Sequence, residues 1–348
     1  MLLKQFGGKI TQEDRQKYEQ SPQWNNGIFL NQEETNMNIG FLDFFRLLRK
    51  QFIDTSGRSP KEKLVVEPFD LEAFLSDEGG PKFVWYGHSV VLLRINGQTI
   101  LIDPMLGPNA APIAPFPIKR FSENTLDLID DFPEIDLMLI THDHYDHLDW
   151  ASINKLKGKT KKYGVALGVK RHLESWGVES RLIQEYDWWD QQTLENIQIT
   201  FTPTRHFSGR GLRDRAKCLW GGWSLKTDQA HVWFSGDGGH GDHFKTVGER
   251  LGPFDFAFME CGQYNKMWHL IHLFPEESVD AALQAQVKKA MPVHWAGFSL
   301  AQHLWTDPAD RFVKHAQTQG LDYTLPRLGQ VYSINDTTKE TWWSELES

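Results

Sequence analysis

The chain of 348 residues is 40% hydrophobic and 24% charged, with a formal net charge of -9 and a pI near 5.9. That length and composition suit a globular protein with a sizeable core, built as one large domain or two modest ones. The acidic balance argues against a general binder of nucleic-acid backbone, which usually presents a basic face, so no nucleic-acid partner is expected.

Two cysteines, Cys218 and Cys261, cannot build a disulfide framework and lack metal-type spacing, so they read as small core residues. The start, Met1 to Gln20, is polar and lacks the apolar stretch of a signal peptide. No apolar run is long enough to span a bilayer. A cytoplasmic protein is expected, unless something tethers it to a membrane surface.

The first forty residues are polar and poorly periodic, and read as an extended arm. Ile39 to Phe52 differs. Phe41, Leu42, Phe45, Leu48 and Phe52 recur at helical spacing, with Asp43, Arg46, Arg49 and Lys50 mostly opposite. Such a helix can pack on the domain body, the commoner arrangement, or make a peripheral contact with a membrane surface. Thr55 to Pro68 reads as a linker. Residues 1–80 are therefore set apart as an N-terminal extension from a domain at 81–348.

From Lys82 the texture changes. Phe83 to Tyr86, Val90 to Ile95 and Thr99 to Ile102 read as strands, with Asn96-Gly97 as a hairpin turn between the last two. Gly107 to Pro117 is a proline-rich loop placed to border a pocket. Ile135 to Ile140 reads as a buried strand. It leads into Thr141-His142-Asp143-His144-Tyr145-Asp146-His147-Leu148-Asp149, where Asp149 looks like the N-cap of Trp150 to Leu156. A strand-to-helix loop can turn several side chains to one point. Imidazole and carboxylate donors without a thiolate suit zinc, iron or manganese. The spacing offers two pairs, His142 with His144 and Asp146 with His147, one for each of two adjacent metals.

Later strand ends supply more ligand-type side chains. Val165 to Val169 reads as a strand and Lys170 to Trp176 as a short helix. The strand Ile197 to Pro203 runs to His206. His231 to Ser235 runs to Asp237, set between glycines, and the strand Phe254 to Met259 follows. Pro275 to Ala290 is the clearest helix, with Glu276 and Glu277 at its start and Lys288 and Lys289 at its end. Ala290 to Val293 then runs to His294. One such histidine alone is more often structural. Together they complete two shells, His142, His144 and His206 for one metal and Asp146, His147 and His294 for the other, with Asp237 bridging. Arg210, Arg213, Arg215 and Lys217 read either as a phosphate clamp, Arg210 foremost, or as a solvated loop. His272 reads either as a general acid or phosphate contact, or as a capping or core histidine. His88 and His240 read as supporting or structural residues. Trp220, Trp223, Trp268 and Trp295 either pack in the core, the commoner use, or line an apolar groove.

In Thr141 to His147, then His206, Asp237 and His294, with Asp103 after its strand, the chain resembles the metallo-β-lactamase superfamily. It closely resembles the branch of N-acyl-phosphatidylethanolamine-hydrolysing phospholipase D and its bacterial relatives. That likeness is carried by Gly87-His88-Ser89, Leu101 to Pro104, His142 to Asp149, His206 to Arg210, Leu219 to Trp223, Gly252 to Asp255, Pro275 to Glu277 and Val293 to Trp295, and covers roughly residues 80 to 315. The resemblance implies an α+β architecture, a four-layer αβ/βα sandwich of two mixed sheets with helices outside and metals at one edge. It also implies that Asp103 supports the metal loop from behind. The expected cofactors are two divalent ions, zinc first, with manganese or iron as alternatives. The expected activity is ester hydrolysis by metal-activated water, with Asp146 as ligand and orienter of the nucleophile. A small-molecule or lipid phosphodiester is the expected substrate. A soluble sugar-phosphate lactonase or nucleotide phosphodiesterase of the same fold is the alternative, and a non-catalytic metal-binding module a more distant one. Oligomeric state stays open, a homodimer included.

Overall fold

The structure, a computed structural model, describes residues 2–36, 55–76, 78–112, 117–211 and 213–346. The helix expected at Ile39 to Phe52 lies outside these residues.

The N-terminal stretch is folded rather than an extended arm. Helix α1 (Gln12–Tyr18) begins at a capping box, where Thr11 Oγ1 accepts from the Asp14 N–H (3.1 Å) and the Asp14 carboxylate accepts from the Thr11 N–H (2.7 Å). Strands β1 (Trp24–Asn25) and β2 (Ile28–Phe29) form a hairpin over Asn26-Gly27, both at positive φ. Tyr18 and Phe29 are almost wholly buried and join the same core as the residues beyond position 80. One buried residue in a seven-residue polar helix is too weak a signal for periodicity to detect. The linker has no regular element, yet Leu64 is buried and its N–H donates to Phe121 O (3.1 Å). Helix α2 (Leu71–Leu75) adds Phe74 to that core.

The strands expected after Lys82 are β3 (Lys82–Trp85), β4 (Val91–Ile95) and β5 (Gln98–Ile102), antiparallel in that order. Asn96 and Gly97 turn between the last two with φ of 50° and 69°, the left-handed pair that Asn-Gly adopts most cheaply. Strands β6 (Leu137–Ile140), β7 (Tyr163–Ala166) and β8 (Ile183–Tyr186) then add in parallel. Helix α3 (Trp150–Leu156) follows β6, with Asp149 accepting from the Ser152 N–H (3.0 Å), and α4 (Lys170–Ser175) follows β7.

The second sheet runs in chain order through β9 (Gln191–Leu194), β10 (Ile197–Thr202), β11 (Gly222–Lys226), β12 (His231–Phe234), β13 (Phe256–Glu260), β14 (Lys289–Val293) and β15 (Asp322–Tyr323). It is antiparallel up to β12 and parallel from there on. Strand β16 (Val331–Ser333) returns to pair with β3, so among the described residues each mixed sheet has seven strands. The sheets face each other. Phe83 of β3 meets Phe256 and Phe258 of β13 at 5.3 and 5.0 Å, and Tyr186 of β8 meets Trp223 of β11 at 5.1 Å. Each such buried side chain contributes about 1.5–3 kcal/mol of transfer free energy.

Helices α5 (His243–Leu251), α6 (Pro275–Gln284) and α7 (Asp307–Gln319) belong to the second half, and α6 and α7 pack on each other and on its parallel strands. Helix α6 stops six residues short of the expected Ala290. Gln286 enters the left-handed region (φ 60°), its carbonyl accepts from the Phe254 N–H (3.1 Å), and the Lys288 N–H donates to Phe254 O (2.9 Å). That bridge pulls the chain into β14, so Lys288 and Lys289 do not sit on a helix end. Among the described residues no helix is long and apolar enough to cross a membrane.

Candidate metal centre

The ligand-type residues lie past the C-terminal ends of strands along one edge: Asp103 after β5, the His142 to His147 loop after β6, His206 after β10, Asp237 after β12 and His294 after β14. His142 Nε2 and His206 Nε2 converge on His144 Nδ1 at 2.9 and 3.2 Å. Asp146 Oδ2 lies 3.3 Å from His294 Nε2 and 3.5 Å from His147 Nε2. Asp237 Oδ2 stands between the groups, 3.0 and 3.1 Å from the Nε2 atoms of His147 and His294, and 3.9 Å from those of His142 and His206. Two ligands about 2.0–2.1 Å from a tetrahedral ion lie about 3.3 Å apart, so these spacings suit divalent cations. His147 Nε2 is buried without an aligned hydrogen bond despite its near neighbours, which fits donors around a common centre better than donors bonded to each other.

Electrostatics agree. Burial, with neighbouring imidazoles, holds His142 and His206 well below the usual imidazole range, and burial brings His144 down to about 4. His147 and His294 go the other way, because Asp237 and Asp146 raise them against the effect of burial. Asp146 and Asp237 in turn are held well below the usual carboxylate range, by His147 and His294 acting against burial. A divalent ion would take over that balance and release the protons.

Asp103 is wholly buried and reaches both groups. Its Oδ1 accepts from the Thr141 N–H (2.8 Å), and its Oδ2 from Thr141 Oγ1 (2.6 Å) and His147 Nδ1 (2.7 Å). Because Thr141 Oγ1 spends its proton on Asp103, it can only accept from His142 Nδ1 (2.9 Å). One carboxylate therefore places the proton on Nδ1, and leaves Nε2 for a ligand role, in a histidine of each group. Asp103→Asn offers an N–H where His147 needs an acceptor. Metal affinity should fall by about 10–100-fold, measured by competition with a chelator. Unchanged affinity would show that the tautomers are set elsewhere.

Two further residues support the centre, His88 as one of its expected readings and Glu260 without any expectation from sequence. His88 sits between β3 and β4 at φ 55°, wholly buried, with its ring 4.2 Å from that of His294. Its Nε2 is 2.8 Å from Asp146 Oδ2, while its Nδ1 is buried without a partner among the described residues. A buried N–H without an acceptor is costly, so the proton sits on Nε2 and is donated to Asp146. Burial keeps the ring neutral, with its pKa lowered to about 3. His88 thus holds a carboxylate in place and does not itself serve as a ligand. Glu260, the last residue of β13, went unnoticed. It accepts from His272 Nδ1 (2.7 Å) and from the Leu273 N–H (2.9 Å). His272 keeps Nε2 as its free edge and has a ring nitrogen within 4.8 Å of the ligand atoms of His206 and Asp237. The strand-end rule that found His294 applies equally to Glu260.

Arg210 does not fit the clamp expectation. It is 1% exposed, donates to the carbonyls of Asp143 (2.6 Å), Leu148 (2.7 Å) and Gln5 (2.9 Å), and stacks on Tyr145. It fastens the metal loop to the N-terminal segment and presents no face to the cavity. Asp143, His172 and Cys218 also cluster, but the Gly8 N–H donates to His172 Nδ1 (3.2 Å), so His172 Nε2 carries a proton and donates to Asp143 instead of a metal. His240 accepts through its carbonyl from Arg205 and is not among the ligand groups. Trp220, Trp223 and Trp295 are core residues, while Trp268 lines the cavity.

That cavity measures about 260 Å³ and is lined by His144, Asp146, Phe207, Asp237, Gln263, Trp268, Ile271, His272, His294 and Leu300. A larger one, about 670 Å³, lies among Lys63, residues 106–109 and residues 117–127, and its described lining includes no histidine.

Two mixed sheets with a histidine and aspartate cluster at one edge define a metallo-hydrolase. The chain belongs to the β-lactamase superfamily, whose domain model matches residues 98–295. It is 32% identical to an uncharacterized protein of Mycobacterium tuberculosis, over 93% of this chain and 88% of that one. It is 28% identical to N-acyl-phosphatidylethanolamine-hydrolyzing phospholipase D 1 of Caenorhabditis elegans, over 85% of this chain and 89% of the relative. Its fold matches that of Igni18, a metallo hydrolase of Ignicoccus hospitalis, with a TM-score of 0.55 and 21% identity, over 72% of this chain and 97% of the other.

Proposed function

We propose that this protein is a metal-dependent phosphodiesterase acting on an amphipathic phosphodiester, with N-acyl-phosphatidylethanolamine the first substrate to test. The observation that carries the reading is the Asp237 carboxylate shared between two ligand groups, in a cavity also lined by His272, whose ring Glu260 holds from behind. His142, His144 and His206 would hold one divalent ion, and Asp146, His147 and His294 the other, zinc being the first choice for an all-imidazole and carboxylate set. When bound, such a pair supplies Lewis acidity that acidifies water and offsets charge on phosphoryl oxygens.

The protein's own groups do the rest. Asp146 Oδ2, fixed by His88 on one side and turned to the ligand cluster on the other, orients the attacking water. The new bond forms between that water oxygen and phosphorus, and the bond to the alkoxy leaving group breaks. His272 Nε2, its ring oriented by Glu260, is placed to give the departing alkoxide its proton, while the proton that the attacking water loses goes to solvent, from which His272 regains one. The phosphate-binding role passes from Arg210 to Arg215, an exposed guanidinium 4.0 Å over the Phe207 ring on the cavity wall.

For a lipid, the acyl chains would stay outside a cavity of about 260 Å³, at a membrane surface. Both described flanks of Ile39 to Phe52 are held near this cavity. Asn31 bonds to the main chain of His206, and Arg58 donates to Ala301 O (3.0 Å), one residue from Leu300. The same small volume favours a second reading, a soluble phosphodiester or lactone.

Zinc- or manganese-loaded protein mixed with N-acyl-phosphatidylethanolamine vesicles should release phosphatidic acid and an N-acylethanolamine, followed by mass spectrometry. No products beside turnover of a soluble phosphodiester would replace the lipid by the second reading. No turnover of either would remove the phosphodiesterase.

A further inference from the structure

Strand β10 ends at Thr202, and the chain then runs without a strand partner to Ser208. His206 lies in this run, and among the described residues neither its N–H nor its carbonyl bonds to another main-chain group. Buried main-chain groups need partners. One side chain supplies both. Asn31 Nδ2 donates to His206 O (2.8 Å), and Asn31 Oδ1 accepts from the His206 N–H (3.0 Å) and from Trp220 Nε1 (3.0 Å). A side-chain amide from 175 positions away in sequence thus stands in for the missing neighbouring strand.

The residues after Asn31 continue along the same path. Arg205 donates through Nε to Thr35 Oγ1 (3.0 Å), through Nη2 to Glu34 O and through Nη1 to His240 O (3.0 Å). Glu33 accepts from the Asp242 N–H (2.9 Å). His240 and Asp242 belong to the loop that begins at Asp237. The His206 ring is held at its other end by donation from Nδ1 to Ile271 O (2.9 Å), so the position of Nε2 depends on where the main chain is fixed.

We propose that Asn31 is a positioning residue for the group His142, His144 and His206, setting how tightly that group closes on an ion. The inference rests on the reading that these residues bind a metal. Within it, the N-terminal segment is a working part of the centre and not an appendage.

The test is cobalt(II) titration of the full chain, followed by visible absorption, with thermal melting of the metal-free form in parallel. The wild type should bind two equivalents tightly. Asn31→Ala should keep one tight equivalent and weaken the other by about 10–100-fold, the usual effect of removing a group that orients a ligand. Asn31→Asp keeps both acceptor bonds but sets oxygen against His206 O, so it should weaken the same equivalent by less. It also serves if the alanine variant does not fold. Two unchanged affinities with a lowered melting temperature would make Asn31 purely structural and overturn the proposal while the metal reading stands. Equal weakening of both equivalents would overturn it too, since Asn31 touches one group only. A wild type that binds no cobalt would overturn the metal reading, and this inference with it.

Discussion

Asp146→Asn should lower kcat by about 1,000-fold, roughly 4 kcal/mol of barrier. Asp146 Oδ2 meets three groups at once, the His88 Nε2–H at 2.8 Å, His294 Nε2 at 3.3 Å and His147 Nε2 at 3.5 Å. If the amide oxygen takes that place, the His88 bond survives but the negative charge is gone. If the amide nitrogen takes it, two donors face each other, and His88 cannot switch tautomer without leaving a buried Nδ1–H with no acceptor. Either way the centre loses a charge that His147 and His294 now balance. Steady-state turnover should be read beside metal content. Near-normal kcat in a variant holding two equivalents would remove Asp146 from the mechanism.

The second large effect belongs to His272. Its ring donates to Glu260, stacks 5.2 Å from the His294 ring and lines the cavity, yet it is not needed to complete either ligand group. His272→Ala should therefore leave metal content unchanged and reduce kcat by about 100- to 10,000-fold, the range for a general acid or base. The loss should shrink for substrates with acidic leaving alcohols, which depart without a proton. A series of aryl phosphodiesters gives the slope directly. Equal losses across that series would make His272 a wall residue. Because Glu260 also accepts from the Leu273 N–H, Glu260→Gln tests orientation less cleanly than His272→Ala tests transfer.

The parts of this centre that could be read from sequence are those whose geometry is local. His142 to Asp149 spans a strand, a loop and a helix cap, and the cap forms as expected. His206, Asp237 and His294 were visible because each follows an apolar run long enough to mark a strand end. Glu260 follows the expected strand Phe254 to Met259 and obeys the same rule, but its partners, His272 and the Leu273 N–H, lie 12 and 13 positions away and leave no local mark. Arg210 misled because a guanidinium among other cations looks solvated, whereas three carbonyls from distant segments absorb it. Asn31 carried no signal at all, since its partner is 175 positions away. The overlong helix from Pro275 failed for a similar reason. Its end is set by hydrogen bonds to Phe254 and not by a proline or glycine in its own sequence. Helix α7, the longest described, has only Pro308, Ala309, Phe312 and Ala316 buried, too sparse an apolar stripe to stand out.

The two sheets share one plan, hairpin strands followed by parallel ones, and the ligands divide between them. Asp103 and His142 to His147 come from the first sheet, and His206, Asp237 and His294 from the second. An ion held there is a rivet through a seam. It binds only when the halves are docked, so by mass action each site adds about 2.7 kcal/mol of resistance to unfolding at free metal one hundred times its dissociation constant. Loss of the ions would then silence the chemistry and loosen the joint together, so the metal-depleted protein should be cut faster by an added protease than the loaded form.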